Sequence, residues 1–194
     1  MRAMKSVFLV CLCATAAVAG PPKKYHFELD KVTAKDKVKP DVLKSAQPRV
    51  EAQVKKAFET DPQLVADLGS DAPDPETDHG EPYRKFLAKK GVASAYRVLI
   101  EITDASEDLQ PMDDKPGTQR LVVKLAIHVL GETIPGRTMG FTGDGQATIK
   151  QEVGAKLRDR DRDYAWDGAA ETAIAEAMKK CFAQLAKGTP KQHN

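Results

Sequence analysis

The stretch Arg120-Leu-Val-Val-Lys-Leu-Ala-Ile-His-Val-Leu130 decides the fold class of this chain. Its apolar residues recur at a period of two, as in a strand that buries one face: Leu121, Val123, Leu125, Ile127 and Val129. The β-branched residues among them favour the same structure. The connector Gly131–Pro135 leads to a second, glycine-weakened strand over 136–149. The sequence therefore predicts a β-hairpin over residues 119–149.

The remaining apolar patterns predict further strands and helices around this hairpin. Alternation predicts strands at 25–29 and 96–102, with a short edge strand at 62–68. Helical spacing predicts a helix from Ser45 to Thr60, with Pro48 in its first turn, and a short helix near residues 83–90 that stops at Gly91. Lysine-, proline- and glycine-rich stretches predict loops at 31–44, 69–82 and 104–118.

A long C-terminal helix is predicted from Tyr164 to Lys187, ended by Gly188 and Pro190. Its apolar stripe is rich in alanine: Trp166, Ala170, Ala173, Ile174, Ala177, Met178, Cys181 and Leu185. So many small side chains indicate a helix that lies close to a sheet. Together the elements predict one α/β (α+β) domain, with a mixed, mostly antiparallel sheet and helices on one face.

The first 19 residues have the pattern of a cleavable export signal. Arg2 and Lys5 precede a short apolar run, and Ala17-Val18-Ala19 matches the small-x-small pattern before a signal peptidase site. The run is too short to span a bilayer. We therefore predict a signal peptide at 1–19 with cleavage after Ala19, a single domain at 20–188 and a disordered tail at 189–194. Val10 before Cys11 and Leu12 before Cys13 disfavour lipid attachment, and the mature chain has no predicted transmembrane segment.

Charge and cysteine content exclude two classes of protein. Without Arg2 and Lys5, 28 of the 30 basic residues remain, and they balance the 28 acidic ones. A nucleic-acid binder needs a basic excess, so nucleic acid is not an expected partner. Cys181 would be the one cysteine left after cleavage, so an intramolecular disulfide cannot form.

The run from Phe86 to Asp104, the long alternating strand, the glycine-containing hairpin and the alanine-striped last helix together resemble a known group. It is the periplasmic α/β domain of the TolB amino-terminal domain, the curli-export lipoprotein and the penicillin-binding-protein activator lipoproteins. In that group a helix ends at glycine before a strand, and an alanine-rich helix closes the fold. This chain departs from the group in lacking the lipidation cysteine and extra strands for a pore. The resemblance implies an adaptor of the cell envelope.

No pattern of catalytic or metal-binding residues stands out. The four histidines, His26, His79, His128 and His193, are scattered, and no metal-ligand spacing, nucleophile elbow or phosphate loop is present. We therefore predict no catalytic, cofactor-binding or metal site and no cofactor. His128 is interpreted as a solvent-facing strand residue, and Cys181 as a buried, inert core residue.

Three further motifs have simple structural interpretations. Gly140-Phe-Thr-Gly-Asp-Gly145 follows a hairpin instead of opening a helix, so a bulged or flexible strand is predicted instead of a phosphate cradle. Asp74-Pro-Glu-Thr-Asp78 begins like a calcium loop, but His79 and Lys85 stand where such a loop needs glycine and glutamate. Arg158–Asp163 is interpreted as a solvated segment with local charge pairing, or else a docking site for a charged partner.

These observations lead to an exported, non-catalytic envelope protein that binds another envelope protein. The alternatives are a small secreted hydrolase or ligand-binding protein whose site follows no recognisable motif, and a weak cation binder using the acidic loop 69–82. A pocket with convergent titratable residues would favour the enzyme. An exposed sheet edge or apolar patch would favour the adaptor.

Overall fold

The computed structural model describes residues 23–187, so the predicted signal at 1–19 and the predicted tail at 189–194 lie outside the described residues. Four strands and three helices follow one another in the order β1, α1, α2, β2, β3, β4, α3. Their bounds are β1 Lys24–Ala34, α1 Pro40–Thr60, α2 Glu81–Lys89, β2 Val92–Pro111, β3 Thr118–Ile134, β4 Met139–Gly154 and α3 Asp159–Lys187.

The strands form one sheet in the order β1-β2-β3-β4. β1 and β2 are parallel, whereas β2–β3 and β3–β4 are antiparallel. The predicted hairpin is therefore confirmed, with Leu125 opposite Ala147. Its turn lies slightly later than predicted, because Gly131–Ile134 belongs to β3 and Thr133 N–H donates to Thr138 O over 2.8 Å. The mixed, mostly antiparallel sheet of the predicted fold class is confirmed.

The main core lies between the sheet and two long helices, α1 and α3. The alternating residues of β3 are almost fully buried, as their period of two predicted: Leu121, Val123, Leu125, Ile127 and Val129. Aromatic rings close the end of this core where β1 begins, and Phe27 stacks on Phe141 with 5.0 Å between ring centroids. Burying this apolar face supplies the main driving force for folding.

The alanines of α3 lie at the sheet, as the small-residue stripe predicted. Ala165, Ala169, Ala170, Ala173 and Ala177 are all 0% exposed. On the facing strand, a Cβ added to Gly143 would lie 2.5 Å from Cys181 Sγ and 2.6 Å from Ala177 O. The glycines of β4 and the alanines of α3 therefore remove the side chains that would otherwise hold helix and sheet apart.

The short helix α2 packs elsewhere. Tyr83 and Leu87 join Ala95 and Ile134 in a small cluster separate from the main core. Ala95 alternates with Tyr96 along β2, and Tyr96 belongs to the main core, so this cluster lies on the opposite face of the sheet. The two long helices thus cover one face as predicted, whereas α2 covers one corner of the other.

Several predicted boundaries are wrong near α1. The predicted loop at 31–44 is partly strand, because β1 continues alongside β2 until Ala34 pairs with Ile102. α1 begins at Pro40 instead of Ser45, so Pro48 lies inside the helix. The helix tolerates this proline, and Arg49 Nη1 donates to Ser45 O over 2.7 Å one turn earlier.

Other boundaries change because tertiary pairing extends the strands. The predicted loop at 104–118 is mostly strand, since β2 pairs with β3 as far as Pro111 opposite Gln119. The predicted edge strand at 62–68 amounts to a single bridge between Tyr25 and Leu64. The loop at 69–82 contains one 3₁₀ turn, Thr77–Gly80, before α2 begins at Glu81.

Candidate functional site

A groove of about 570 Å³ lies between α1 and α3. Apolar side chains form its floor, among them Ile174, Met178 and Phe182, while charged and amide side chains form its rim. The full lining is Gln53, Lys56, Ala57, Thr60, Asp61, Pro62, Gln63, Glu171, Ile174, Ala175, Met178, Lys179 and Phe182. Among the described residues, the titratable side chains of the lining are Lys56, Asp61, Glu171 and Lys179.

The groove arises because the two helices are joined at one end and lined by small residues at the other. Arg49 of α1 forms an ion pair with Asp163 of α3, and its Nε lies 3.3 Å from Asp167 Oδ1. Farther along, the facing positions Ala57 and Ala175 carry only methyl groups. The helices are therefore fixed relative to each other while the space between their later turns stays open.

The charged run Arg158–Asp163 is more than a solvated segment. Arg158 Nε does pair locally with Asp161 Oδ2 over 2.8 Å, as predicted. Arg162 Nε, however, lies 2.9 Å from Glu107 Oε1 on β2, and Trp166 Nε1 donates to Glu107 Oε2 over 2.8 Å. The run thus forms the first turn of α3 and attaches it to the sheet as well as to α1. The predicted start of the helix at Tyr164 is five residues late because these tertiary pairs stabilise the earlier turn.

The outer edge of β4 is covered along half its length by three side chains of α3, here called the edge ladder. Thr142 N–H donates to Gln184 Oε1 over 2.9 Å, and Gln146 N–H donates to Glu176 Oε2 over 2.9 Å. Between them, Lys180 Nζ donates to Asp144 O over 2.8 Å. Every fourth residue of α3 reaches every second residue of β4, because four helical residues rise about 6 Å and two strand residues span about 6.6 Å. The ladder closes this part of the edge to another strand.

The other end of the sheet carries a buried histidine. His26 Nδ1 lies 2.7 Å from Val65 O, and His26 Nε2 lies 3.4 Å from Glu28 Oε1. Burial alone lowers the pKa of His26, but the hydrogen bonds to Glu28 and to the Val65 carbonyl outweigh it and leave the pKa raised. The histidine attaches the segment after α1 to strand β1. Sequence reasoning missed this role, because His26 lies between Tyr25 and Phe27 in a pattern that predicts only a strand.

His128 lies on the face of the sheet away from α1 and α3, with its side chain 38% exposed, so its predicted solvent-side position is confirmed. Its Nδ1 lies 2.7 Å from Asp144 Oδ1 on β4, and Glu101 of β2 is the residue opposite it on the other side. A histidine oriented by a carboxylate can act as a base. This pair nevertheless lies on an exposed sheet face, away from the groove between α1 and α3.

The remaining sequence motifs have structural explanations. Cys181 is fully buried, as predicted, and burial raises the pKa of its thiol to about 12. Gly140–Gly145 lies in β4, where a Cβ on Gly140 would collide with the Tyr96 ring and one on Gly145 with α3. These glycines therefore permit close packing. The predicted bulge is confirmed at Gly140, which has no partner between the pairs Gly131–Phe141 and Glu132–Met139.

The acidic loop forms a local turn. Asp74 Oδ1 accepts a hydrogen bond from Glu76 N–H over 2.8 Å. Asp78 and His79 both have positive φ, at 48° and 55°, before Gly80 at 74°. Within residues 23–187, no three histidine, cysteine or acidic side chains converge as a metal site would require. None of the helices in that range is long and apolar enough to cross a bilayer.

Comparisons with known proteins add a weak likeness of fold. No family model and no curated protein matches the chain. Among solved structures, a DUF330-family protein from Xanthomonas campestris is 11% identical, with a TM-score of 0.45 over 89% of this chain and 93% of that one. Rare lipoprotein B from Shewanella oneidensis is 10% identical, with a TM-score of 0.39 over 84% and 97%. The minor lipoprotein from Acinetobacter baumannii is 9% identical, with a TM-score of 0.35 over 86% and 95%.

Bacterial lipoproteins are thus among the structures that this chain resembles, whereas the likeness to the TolB amino-terminal domain, the curli-export lipoprotein and the activator lipoproteins stays a prediction. At such identities and TM-scores the comparison carries no argument about what the chain binds or does.

Proposed function

We propose that the chain is an exported, non-catalytic protein of the cell envelope that binds another envelope protein through the groove between α1 and α3. The observation that carries this proposal is the composition of the groove. Its floor is apolar and open along the helices, and its rim presents Lys56 and Lys179 together with Asp61 and Glu171. A mixed-charge rim around an apolar centre is the usual composition of a protein-binding surface.

Export is the second part of the proposal, and it is supported by the basic, apolar and small-x-small segments that end at Ala19. The leader would place the mature domain in the periplasm or outside the cell. The resemblance to the periplasmic α/β domains, which includes the alanine-striped last helix and the long alternating strand, supports the same location. Both features concern where the protein works, whereas the groove concerns what it does there.

The shape of the groove favours a polypeptide over a small molecule. Small ligands bind mostly in enclosed clefts that bury the larger part of their surface. This groove is instead bounded by two helices and the turn at Pro62–Gln63, and it stays open to solvent along its length. An amphipathic helix or an extended segment could lie along it, with apolar side chains on Ile174 and Met178 and polar ones at the rim.

The secreted hydrolase is a second candidate because of one observation, the His128–Asp144 pair. Its Nδ1–Oδ1 distance of 2.7 Å leaves Nε2 pointing away as a base. A hydrolase would also need a cavity that holds the substrate against this base. Substituting His128 by Gln should abolish any hydrolase activity of this kind and should leave binding at the groove intact.

The test of the proposal is site-specific photo-crosslinking in cells that produce the protein. A photoreactive residue at Ala175, an exposed position in the lining, should capture one discrete partner that mass spectrometry identifies. The same residue at Lys85, an exposed position on α2, is the matched control because α2 packs on the other face of the sheet. Equal capture at both positions, or capture at Lys85 alone, contradicts binding at the groove.

A further inference from the structure

The outer edge of β4 has two halves that differ in how they are covered. The edge ladder occupies one backbone group in each of three residues, namely Thr142 N–H, Asp144 C=O and Gln146 N–H. The pairing of β3 with β4 continues without a register shift to Gly154, so Thr148, Lys150 and Glu152 direct their backbone groups away from β3 in the same way. Among the described residues, no side chain bonds to the backbone of these three. The second half of the edge is therefore open.

Helix α3 explains why the ladder ends at Gln146. Counting from Glu176 towards the start of the helix, one turn at a time, places Thr172 and Gly168 nearest to Thr148 and Lys150. Gly168 confirms this alignment, because a Cβ on it would lie 3.7 Å from Ile149 Cδ1. Thr172 is short and Gly168 has no side chain, so the helix leaves the edge uncovered here.

We propose that this open half, Thr148–Gly154, pairs antiparallel with the same segment of a second copy of the chain and forms a two-fold symmetric dimer. In the favoured register, Lys150 of each copy lies opposite Glu152 of the other. Two opposite-charge pairs then face each other across the symmetry axis, since cross-strand pairs of opposite charge stabilise a sheet. The two four-stranded sheets become one continuous eight-stranded sheet.

The paired segment ends where the edge ladder begins, so the ladder sets the length of the interface.

The charges on this edge are self-complementary, and for that reason we infer that the partner is a second copy of the chain instead of a strand from an unrelated protein. Lys150 and Glu152 are two residues apart on the same edge strand. When a second copy is related to the first by a two-fold rotation, the lysine of each copy lies opposite the glutamate of the other. Glu152 also contacts Lys115 Nζ within its own copy, over 2.7 Å, so it would be shared between two lysines. An edge lysine can instead serve to prevent pairing, and the experiment distinguishes these two roles.

The test combines two charge-reversal variants. Lys150→Glu places two carboxylates opposite each other across the interface, and Glu152→Lys places two ammonium groups opposite each other. Each variant alone should therefore lose the dimer in size-exclusion chromatography with light scattering. An equimolar mixture of the two restores both opposite-charge pairs and should yield a heterodimer. A separately folded monomer of each variant, with a wild-type-like circular dichroism spectrum, shows that the loss is not misfolding.

Lys55→Glu is the matched control, because it makes the same charge change on the exposed face of α1 and should leave the dimer intact. A wild-type chain that stays monomeric at its highest soluble concentration overturns the proposal and assigns Lys150 the guarding role. A wild-type dimer that survives Lys150→Glu, or a mixture of variants that stays monomeric, also overturns it. The groove proposal is untouched by either result, since its crosslinks arise at Ala175.

Discussion

The carbonyl oxygen of Ala173 occupies the space that a side chain on Gly145 would need. Helix α3 therefore lies directly on the backbone of β4, with no side chain between them at this point. Gly145→Ala should force the helix outward and destabilise the fold by about 1–3 kcal/mol, the usual cost of overpacking a filled core. Thermal unfolding measures the effect. Gly154→Ala in the same strand is the control, because an added Cβ there meets nothing within 4 Å.

The buried stripe of α3 gives a second prediction, with the same substitution made on two faces of the helix. Ala177 is 0% exposed, and Ala177→Leu should lower the melting temperature by several degrees, at about 2–4 °C per kcal/mol for a domain of this size. Ala183 is exposed on the same helix, and Ala183→Leu should change the melting temperature little. Equal melting temperatures for the two variants would show that the stripe does not face the sheet.

His26 predicts a pH dependence whose sign follows from its raised pKa. A folded pKa above the unfolded value of about 6.5 means that folding favours the protonated form. The stabilisation is therefore fully present below about pH 6.5 and is lost as the pH rises through the folded pKa. His26→Gln should destabilise the protein more at about pH 5.5 than at about pH 8.5, as measured by urea unfolding at both pH values.

Glu28 provides the control for this pH dependence, because its pKa is lowered mainly by the hydrogen bond from His26. Its contribution is present above its ordinary pKa of 4.5 and is lost as the pH falls through the lower folded value. Glu28→Gln should remove much of the trend, and adding His26→Gln to it should add little. Additive effects of the two variants would mean that the residues act independently.

Cys181 should react slowly with a thiol reagent in the native protein and quickly after denaturation. Burial raises the pKa of its thiol to about 12, and the reactive species is the thiolate. Labelling followed by mass spectrometry compares the two rates. Similar rates in native and denatured protein would place Cys181 at the surface and would contradict the packing of α3.

Export predicts a defined N-terminus. Sequencing the protein recovered from the extracytoplasmic fraction should read Gly-Pro-Pro-Lys-Lys, the residues that follow Ala19. Ala19→Pro, next to the scissile bond, should leave the leader attached and retain the precursor. A protein that keeps Met1 and stays in the cytoplasm would rule out the predicted signal.

Patterns of period two and of small residues predicted the sheet and the last helix well, because burial of one face imposes them directly. Leu121 to Val129 and Ala173 to Cys181 are examples. Boundaries were missed where distant residues decide them. Glu107 lies in the extended part of β2 and accepts hydrogen bonds from Arg162 and Trp166 in the first turns of α3. These contacts stabilise both elements, and no local sequence pattern contains them.

The candidate surfaces could not be predicted for a similar reason. The groove joins Ala57 to Ala175 across two helices, and no local pattern around either alanine indicates that the two lie on a shared surface. The edge ladder depends on the match between helical and strand spacing once α3 lies beside β4. The sequence contains the residues of both surfaces, but only the arrangement of α1, α3 and β4 brings them together.

The parallel pairing of β1 with β2 has a consequence for how the chain acquires its structure during synthesis. Among the described elements β1 emerges first, yet its neighbour in the sheet begins only at Val92, after α1, the long loop and α2. The meander of β2, β3 and β4 joins neighbours in sequence, so it can close soon after it appears. Tyr25 and Phe27 must wait for it with their apolar side chains exposed. The risk of aggregation is therefore greatest while only the amino-terminal half has been synthesised. A chaperone that binds this half until β2 has emerged would raise the yield of folded protein.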